Sequence, residues 1–322
     1  MICLGIESTA HTFGVGIVTD KGRVLANVLK PLVTKKGGII PNEAAEHHIG
    51  VCSEAVEEAL SAAKINVGAV NLISFSQGPG LGHCLRVGAM AARTLSLLHK
   101  IPLIGVNHCI GHLEIGKLLT EAKDPVLLYV SGANTQIIAF ENGKYRVFGE
   151  TLDIGIGNML DVFGREIGFG FPAGPNIMEL SAKGKKYVEL PYVIKGMDVS
   201  FGGILTNVSE KYRSGKYSKA DLCYSLQETV FAMLVEAAER AMAQCNKREL
   251  LLGGGVASNL RLQEMCRTMC SERGAEFYVP ERQFLVDNGA MIGWLGILEY
   301  KKGKRTKIEG SGIKPYERTD DV

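Results

Sequence analysis

Asp124-Pro125-Val126-Leu127-Leu128-Tyr129-Val130-Ser131-Gly132-Ala133-Asn134-Thr135 is the stretch that decides the fold, because from here the chain begins its pattern a second time. Its apolar run reads as a buried strand closed by a small polar turn. Strands are expected near 126–132, 135–141 and 145–151, the last two joined by Asn142-Gly143, a type I′ hairpin signal. After an interruption from 153 to 217 come a helix at about 220–245, a strand at 249–253, a helix at 258–273, a strand at 276–280 and a helix at 289–300. Upstream, strands are expected near 2–7, 13–19 and 23–30. A helix follows at 45–63 on the stripe Ile49, Cys52, Val56, Ala59, Leu60 and Ala63, then a strand at 71–76, a helix at 84–99, a strand at 102–106 and a helix after Asn107. Both halves read βββαβαβα. The repeat predicts two similar α/β lobes, 1–123 and 124–322, with the insertion at about 153–217 in the second and a ligand cleft between them.

Composition permits this. The chain has 322 residues, 46% hydrophobic and 22% charged, enough for two separate cores. Net charge is +2, with basic residues scattered through Lys35-Lys36, Lys183 to Lys186 and Lys301 to Lys307, so charge alone argues neither for nor against nucleic acid. No apolar run reaches membrane-spanning length and the N-terminus starts on strand-like residues, which predicts a cytoplasmic protein that binds no membrane. The eight cysteines are expected to be reduced core thiols, without a zinc ribbon. The polar tail after Gly310 reads as the start of a linker or a frayed end.

Chemistry concentrates at a few places. His108 and His112 stand four apart at the start of a helix that Asn107 can cap, so both rings share one face. Ile115 and Leu119 continue that face and are expected to be buried. A bare pair at this spacing serves a metal or ordinary hydrogen bonding equally well. Asp287 precedes the final helix, where an isolated Asp is most simply an N-cap, but the repeat sets it on the wall opposite His108. Two neutral imidazoles and a carboxylate are a common set for zinc or ferrous iron. The turns Ser131-Gly132-Ala133-Asn134-Thr135 and Gly253-Gly254-Gly255-Val256-Ala257-Ser258-Asn259 can bring backbone amides to an anionic ligand, the second by running directly into a helix. The acidic helix starts at Asp161 and Asp287 are expected beside them.

Taken together, Glu7-Ser8-Thr9, Ser76-Gln77-Gly78-Pro79-Gly80-Leu81, Asn107-His108-Cys109, Tyr129-Val130-Ser131-Gly132, Asp153 to Asp161, Gly253 to Asn259 and Asp287-Asn288-Gly289 span nearly the whole chain. With these motifs the chain resembles the TsaD-type, tRNA threonylcarbamoyladenosine-forming family. Leu152-Asp153-Ile154-Gly155 and the tail Pro315 to Asp320 are nearest the archaeal and eukaryotic type that acts in the KEOPS complex. The resemblance implies a duplicated actin-like, Hsp70-like and sugar-kinase-like (ASKHA) fold. It implies one divalent metal ion, iron ahead of zinc, on His108, His112 and Asp287, with a phenolic oxygen from Tyr129. It places Tyr129, Val130, Ser131, Gly132, Ala133, Asp161, Gly174, Met178 and Asn259 where the family holds the adenylate part of threonylcarbamoyl-AMP, or ATP itself. The implied reaction moves the threonylcarbamoyl group to N6 of adenosine 37 in tRNAs reading codons that begin with A. The implied partners are tRNA, a small kinase or ATPase subunit and two further small KEOPS subunits.

The chain departs from the family pattern at His83-Cys84, at Gly111, at Ala133 and at Met178. Met178 stands where an acid usually meets the ribose, with Glu179 beside it as a possible substitute. Ala133 costs about 1 kcal/mol if its backbone needs positive φ and nothing otherwise. Three other functions compete. A zinc protease of the His-x-x-x-His kind needs Glu directly after His108, where Cys109 stands. A small-molecule kinase of the same fold usually needs an acid to orient metal-bound ATP or deprotonate the acceptor; the first hairpin carries Glu7-Ser8-Thr9, and the second, Ser131-Gly132-Ala133, lacks an acid. An ATP-binding scaffold without chemistry differs by whether His108 matters to turnover or only to assembly.

Overall fold

The computed structural model describes residues 1–34 and 38–322; Lys35 and Lys36, counted above among the basic residues, lie outside them. In chain order the elements are β1 (Ile2–Glu7), β2 (Thr12–Thr19), β3 (Val24–Pro31), α1 (Pro41–Ala63), β4 (Leu72–Gly78), α2 (Gly82–His99), β5 (Leu103–Asn107) and α3 (His108–Leu119). There follow β6 (Val126–Val130), β7 (Thr135–Glu141), β8 (Lys144–Glu150), α4 (Ile156–Glu166), α5 (Gly174–Ser181), β9 (Ile194–Lys195), β10 (Asp198–Val199) and α6 (Gly202–Arg213). The chain closes with α7 (Lys219–Gln244), β11 (Glu249–Gly253), α8 (Leu260–Glu272), β12 (Glu276–Tyr278), α9 (Arg282–Leu285) and α10 (Gly289–Lys301).

The two large sheets have one topology. The first runs β3-β2-β1-β4-β5 and the second β8-β7-β6-β11-β12, each with two antiparallel pairings followed by two parallel ones. Antiparallel neighbours are joined by short turns, whereas each parallel neighbour is reached through a helix, as the repeated βββαβαβα order requires. The β7–β8 turn is the type I′ turn its sequence announces, with φ of 51° at Asn142 and 79° at Gly143.

The compact units divide the chain differently from 1–123 and 124–322. One comprises Met1–Leu32, Ile39–Leu119 and Val286–Val322; the other comprises Val33–Gly38 and Thr120–Leu285. The last helix, expected in the second lobe, therefore belongs with the first sheet. Glycines explain why. A Cβ at Gly5 would lie 2.2 Å from Gly289 O and Gly293 N, and one at Gly16 would lie 2.1 Å from Ala290 N, so α10 rests backbone to backbone on β1 and β2. The alternation of β1 sends Leu4 and Ile6 to the core shared with α1 and α2, and sends Gly5 and Glu7 to the face that carries α10. α3 packs against α10 on that same side.

Two burial expectations fail in this unit. Ile115 is fully buried but Leu119, at the end of α3, is 36% exposed, and Ile49 on the α1 stripe is 66% exposed. His48 of α1, in contrast, is fully buried and packs edge-on against Phe13, with ring centroids 5.5 Å apart. Burial, reinforced by the neighbouring His47 and His11, pushes its pKa down to about 4. In the unfolded chain it titrates near 6.5, so the unfolded state binds the extra proton and stability falls as pH drops from about 6.5 to 4. The expected loss from this residue is about 3 kcal/mol. Denaturant unfolding at pH 7 and pH 4 checks it: His48→Leu should lose correspondingly less stability over that interval than the parent, and equal losses contradict the assignment.

In the second unit the segment 153–217 is ordered into α4, α5, the β9–β10 hairpin and α6, whose Ile156, Phe163, Ile177, Phe201 and Ile204 enter the core of the second sheet with α7. All eight cysteines are free thiols. Among the described residues no helix is long and apolar enough to cross a membrane.

Candidate metal centre and adenylate site

α3 starts where Asn107 stops β5. The Asn107 side-chain oxygen accepts from Cys109 N at 3.0 Å and Ile110 N at 3.2 Å, the expected cap. Both histidine rings then project from one face, with centroids 4.9 Å apart. Asp287 meets them from the residues just before α10. Its own capping role is absent, because the cap of α10 is Asn288, whose side chain accepts from Met291 N at 3.0 Å. The Asp287 carboxylate is thereby left to the histidines: Oδ1 lies 3.4 Å from His108 Nε2 and 3.5 Å from His112 Nε2. Sequence symmetry set these groups on opposite walls, yet all three belong to the same unit, because the glycine-seated α10 delivers Asp287 to the His108 helix.

A partner unrecognised in the sequence lies behind His108. Glu7, fully buried at the end of β1, accepts from His108 Nδ1 through Oε2 at 2.9 Å, and its Oε1 accepts from Thr9 N at 2.6 Å and Thr9 Oγ1 at 2.5 Å. That network assigns the ring proton to Nδ1 and turns the Nε2 lone pair toward Asp287. In the sequence its one signal is that Glu7 is the lone acid closing the apolar strand Ile2-Cys3-Leu4-Gly5-Ile6.

The donor set fits a divalent cation. The three ligand atoms lie within 4.8 Å of one another. Bonds of about 2.0 Å in a tetrahedral site put ligand atoms about 3.3 Å apart, close to both observed nitrogen–oxygen separations. Burial drives the His112 pKa below its ordinary value, keeping the ring neutral. Burial works against charge on Asp287 as well, but His108 and His112 outweigh it and hold the carboxyl well below the usual carboxylate range. Neutral imidazole and ionised carboxylate are the ligating forms, and Glu7 supplies the outer carboxylate that metal-binding histidines commonly bond. Cys109 stays outside the set: burial pushes its thiol up to about 11, so it is protonated at neutral pH.

Tyr129 occupies β6 in the other unit, fully buried. Val130 ends that strand, and Gly132 and Ala133 are exposed in the β6–β7 turn. Ala133 is absent from the residues with positive φ, so the alanine carries no backbone penalty there. The turn receives α4: Ser131 O accepts from Gly157 N at 3.0 Å and Gly132 O from Asn158 N at 2.9 Å. Asp161 is not a helix start as expected. α4 begins at Ile156, and Asp161, inside it, accepts from Ala173 N at 2.7 Å and so pins the start of α5, which carries Gly174 and Met178. Glu179 faces outward and pairs with Lys183 at 3.4 Å.

The second glycine turn differs too. A four-residue 3₁₀ turn, Gly255–Ser258, separates β11 from α8, and the residue capping α8 is Asn259, accepting from Arg261 N at 2.9 Å. Asn259 Nδ2 donates to Gln227 Oε1 at 2.6 Å, and Gln227 Nε2 donates in turn to Ser181 Oγ at the end of α5. Asn259 is thus tied to the end of α5 by a buried polar relay through Gln227 and Ser181, which the sequence did not single out, while Asp161 holds the start of the helix that carries Gly174 and Met178.

Comparison with known proteins supplies the decisive observation. The model of the family described as TsaD, tRNA N6-adenosine threonylcarbamoyltransferase, matches residues 23–294. The chain belongs to this family. The tRNA N6-adenosine threonylcarbamoyltransferase of Thermococcus kodakarensis is 57% identical over 322 residues, covering all of this chain and 98% of that protein. A "probable bifunctional tRNA threonylcarbamoyladenosine biosynthesis protein" of Methanothermobacter thermautotrophicus is 55% identical across the whole chain, which spans 60% of that longer relative. Among solved structures, HypF of Thermococcus kodakarensis superposes with a TM-score of 0.68 at 13% identity, over 94% of this chain and 48% of that one. That likeness bears on fold alone, and with the repeated sheet topology it makes the threonylcarbamoyltransferase chain a duplicated α/β protein of the ASKHA type. As a member of the family it is a transferase.

Proposed function

We propose that the chain transfers the threonylcarbamoyl group of threonylcarbamoyl-AMP to N6 of adenosine 37 in tRNAs reading codons that begin with A, as the metal-dependent catalytic subunit of a KEOPS-type complex in the cytoplasm. The observation that carries the metal part is the buried grouping of His108, His112 and Asp287 with Glu7 behind it. A bound divalent ion, iron ahead of zinc, supplies Lewis-acid polarisation of the carbamoyl carbonyl. His108, His112 and Asp287 would hold it, while Glu7 fixes the His108 tautomer.

The β6–β7 turn at Val130, Ser131, Gly132 and Ala133, with Asp161, Gly174, Met178 and Asn259, receives the adenylate, or ATP in its place. The adenine amine forms the new C–N bond, the carbonyl–phosphate C–O bond breaks, AMP leaves and the amine gives up its proton. No protein nucleophile is needed, which agrees with a protonated Cys109. The partners in this reading are tRNA, a small kinase or ATPase subunit and two further small subunits; the bifunctional name of a longer relative supports an association of such activities.

The test is incubation of the purified chain with threonylcarbamoyl-AMP and unmodified tRNA, with and without those partners, followed by mass spectrometry of the nucleosides. Threonylcarbamoyladenosine is the expected product. Its absence under both conditions overturns the proposal, and phosphoryl transfer from ATP to a small acceptor would favour the kinase alternative.

A further inference from the structure

The tail after Gly310 is not a frayed end but packs against the β4–α2 turn. Gln77 Nε2 donates to Gly312 O at 2.7 Å, Lys314 N donates to Gln77 O at 2.7 Å, and Gly80 N donates to Pro315 O at 3.1 Å. The fit leaves no room: a Cβ on Gly78 would stand 1.9 Å from Lys314 O. Beyond this anchor the chain turns toward α3. Glu317, its side chain 6% exposed, is held by Lys314 Nζ at 2.7 Å and accepts from Asn107 Nδ2 at 3.2 Å. Thr319, 1% exposed, hydrogen-bonds the Cys109 side chain.

We propose that this C-terminal segment clamps the histidine helix, with Glu317 as a positioning residue that orients the Asn107 cap and through it His108; the inference rests on reading His108 as a metal ligand. Asn107 has two chemically different ends. With Nδ2 on the Glu317 carboxylate, Oδ1 must face the Cys109 and Ile110 amides, where it caps the helix. Flipped, an amide oxygen would oppose the carboxylate and an NH₂ would oppose two N–H groups, so the carboxylate selects the capping orientation. His108 is the first residue of that helix, so the cap sets the backbone from which its ring projects, while Glu7 holds the ring itself.

Two measurements on Glu317→Ala and Glu317→Gln test this: hydrogen exchange at the Cys109 and Ile110 amides, and zinc affinity by competition with a chelator. Glu317→Ala should speed exchange about 10-fold and weaken zinc about 10-fold, in line with outer-shell substitutions at metal sites. Glu317→Gln, whose carbonyl still accepts from Asn107, should restore most of both. A parent that binds zinc and a Glu317→Ala variant that binds it as tightly overturn this inference alone, as does faster exchange with unchanged affinity. A parent that takes up no zinc overturns the metal reading itself.

Discussion

Asp287→Ala is expected to weaken divalent metal binding by about 100-fold or more while lowering the melting temperature of the metal-free protein only modestly. The two effects separate because Asp287 does no structural work that the site does not require. Asn288, not Asp287, caps α10, so removing the carboxylate costs the helix little. What is lost is the single oxygen lying 3.4 and 3.5 Å from the two Nε2 atoms, the only negative group of the set. The neutral imidazoles that remain bind a cation with no negative group in direct contact, Glu7 acting only from behind His108, and the affinity falls accordingly. Metal stoichiometry by elemental analysis, alongside calorimetry, reads both quantities. Retained metal in Asp287→Ala would remove it from the ligand set, and a large loss of stability would return it to a structural role.

The second large effect comes from a residue that touches no ligand. Gly16→Ala places a Cβ 2.1 Å from Ala290 N and 2.4 Å from Gly289 C. Both are backbone atoms, so no rotamer change relieves the clash, and α10 must lift from β2. The expected cost is about 3 kcal/mol. Metal binding should fall with it, since α10 carries Asp287 to the histidines. Two controls bound the effect. Gly111→Ala brings a Cβ 3.3 Å from Met291 Cγ, a flexible side chain that can give, so Ala at this position is well tolerated. Gly50→Ala, in α1 with nothing within 4 Å, should raise stability by about 0.5–1 kcal/mol through helix propensity. Denaturant unfolding of the three variants ranks them; a Gly16→Ala protein as stable as the parent would refute the close seating of α10.

These glycines also mark where the sequence was hard to read. The duplicated sheets were legible because strand and helix periods differ, and because Asp124-Pro125 and Asn142-Gly143 punctuate the repeat. The placement of α10 was not, since periodicity says that a helix exists but not which sheet it covers. The relevant signal was steric: Gly5, Gly14 and Gly16 alternate along β1 and β2, and Gly289 and Gly293 recur four apart, which is complementary only when the two elements are considered together. Assigning Asp287 by symmetry therefore set it near His108 by the wrong route: it reaches the histidines from within the same unit, not from an opposite wall. Asp161 failed for a related reason. Treating 153–217 as an interruption hid the start of α4 at Ile156, which lacks a side-chain cap and so carries no Ser, Asp or Asn signal. Gln227 and Ser181 were invisible because a buried polar pair on separate helices has no spacing rule; only the packing of α5 against α7 creates it.

The same contrast separates the proposed ligands from their supports. His108 and His112 announce themselves at a spacing of four residues, whereas Glu7 and Glu317 reach His108 and Asn107 from residues 101 and 210 positions away in the chain. Long-range supports of this kind decide whether a legible pair becomes a site. They also direct attention to variants outside the obvious motif.

The proposed role of the centre formed by His108, His112 and Asp287 is to sustain threonylcarbamoyl transfer. Its most direct test compares threonylcarbamoyladenosine formation on tRNA by the protein as purified, stripped by chelator, and reloaded with ferrous iron or zinc, in the presence of its partner subunits. Loss of product on stripping and its return on reloading, with no return in the His108→Ala, His112→Ala double variant, is the result predicted. Full product formation by the metal-free protein would contradict it.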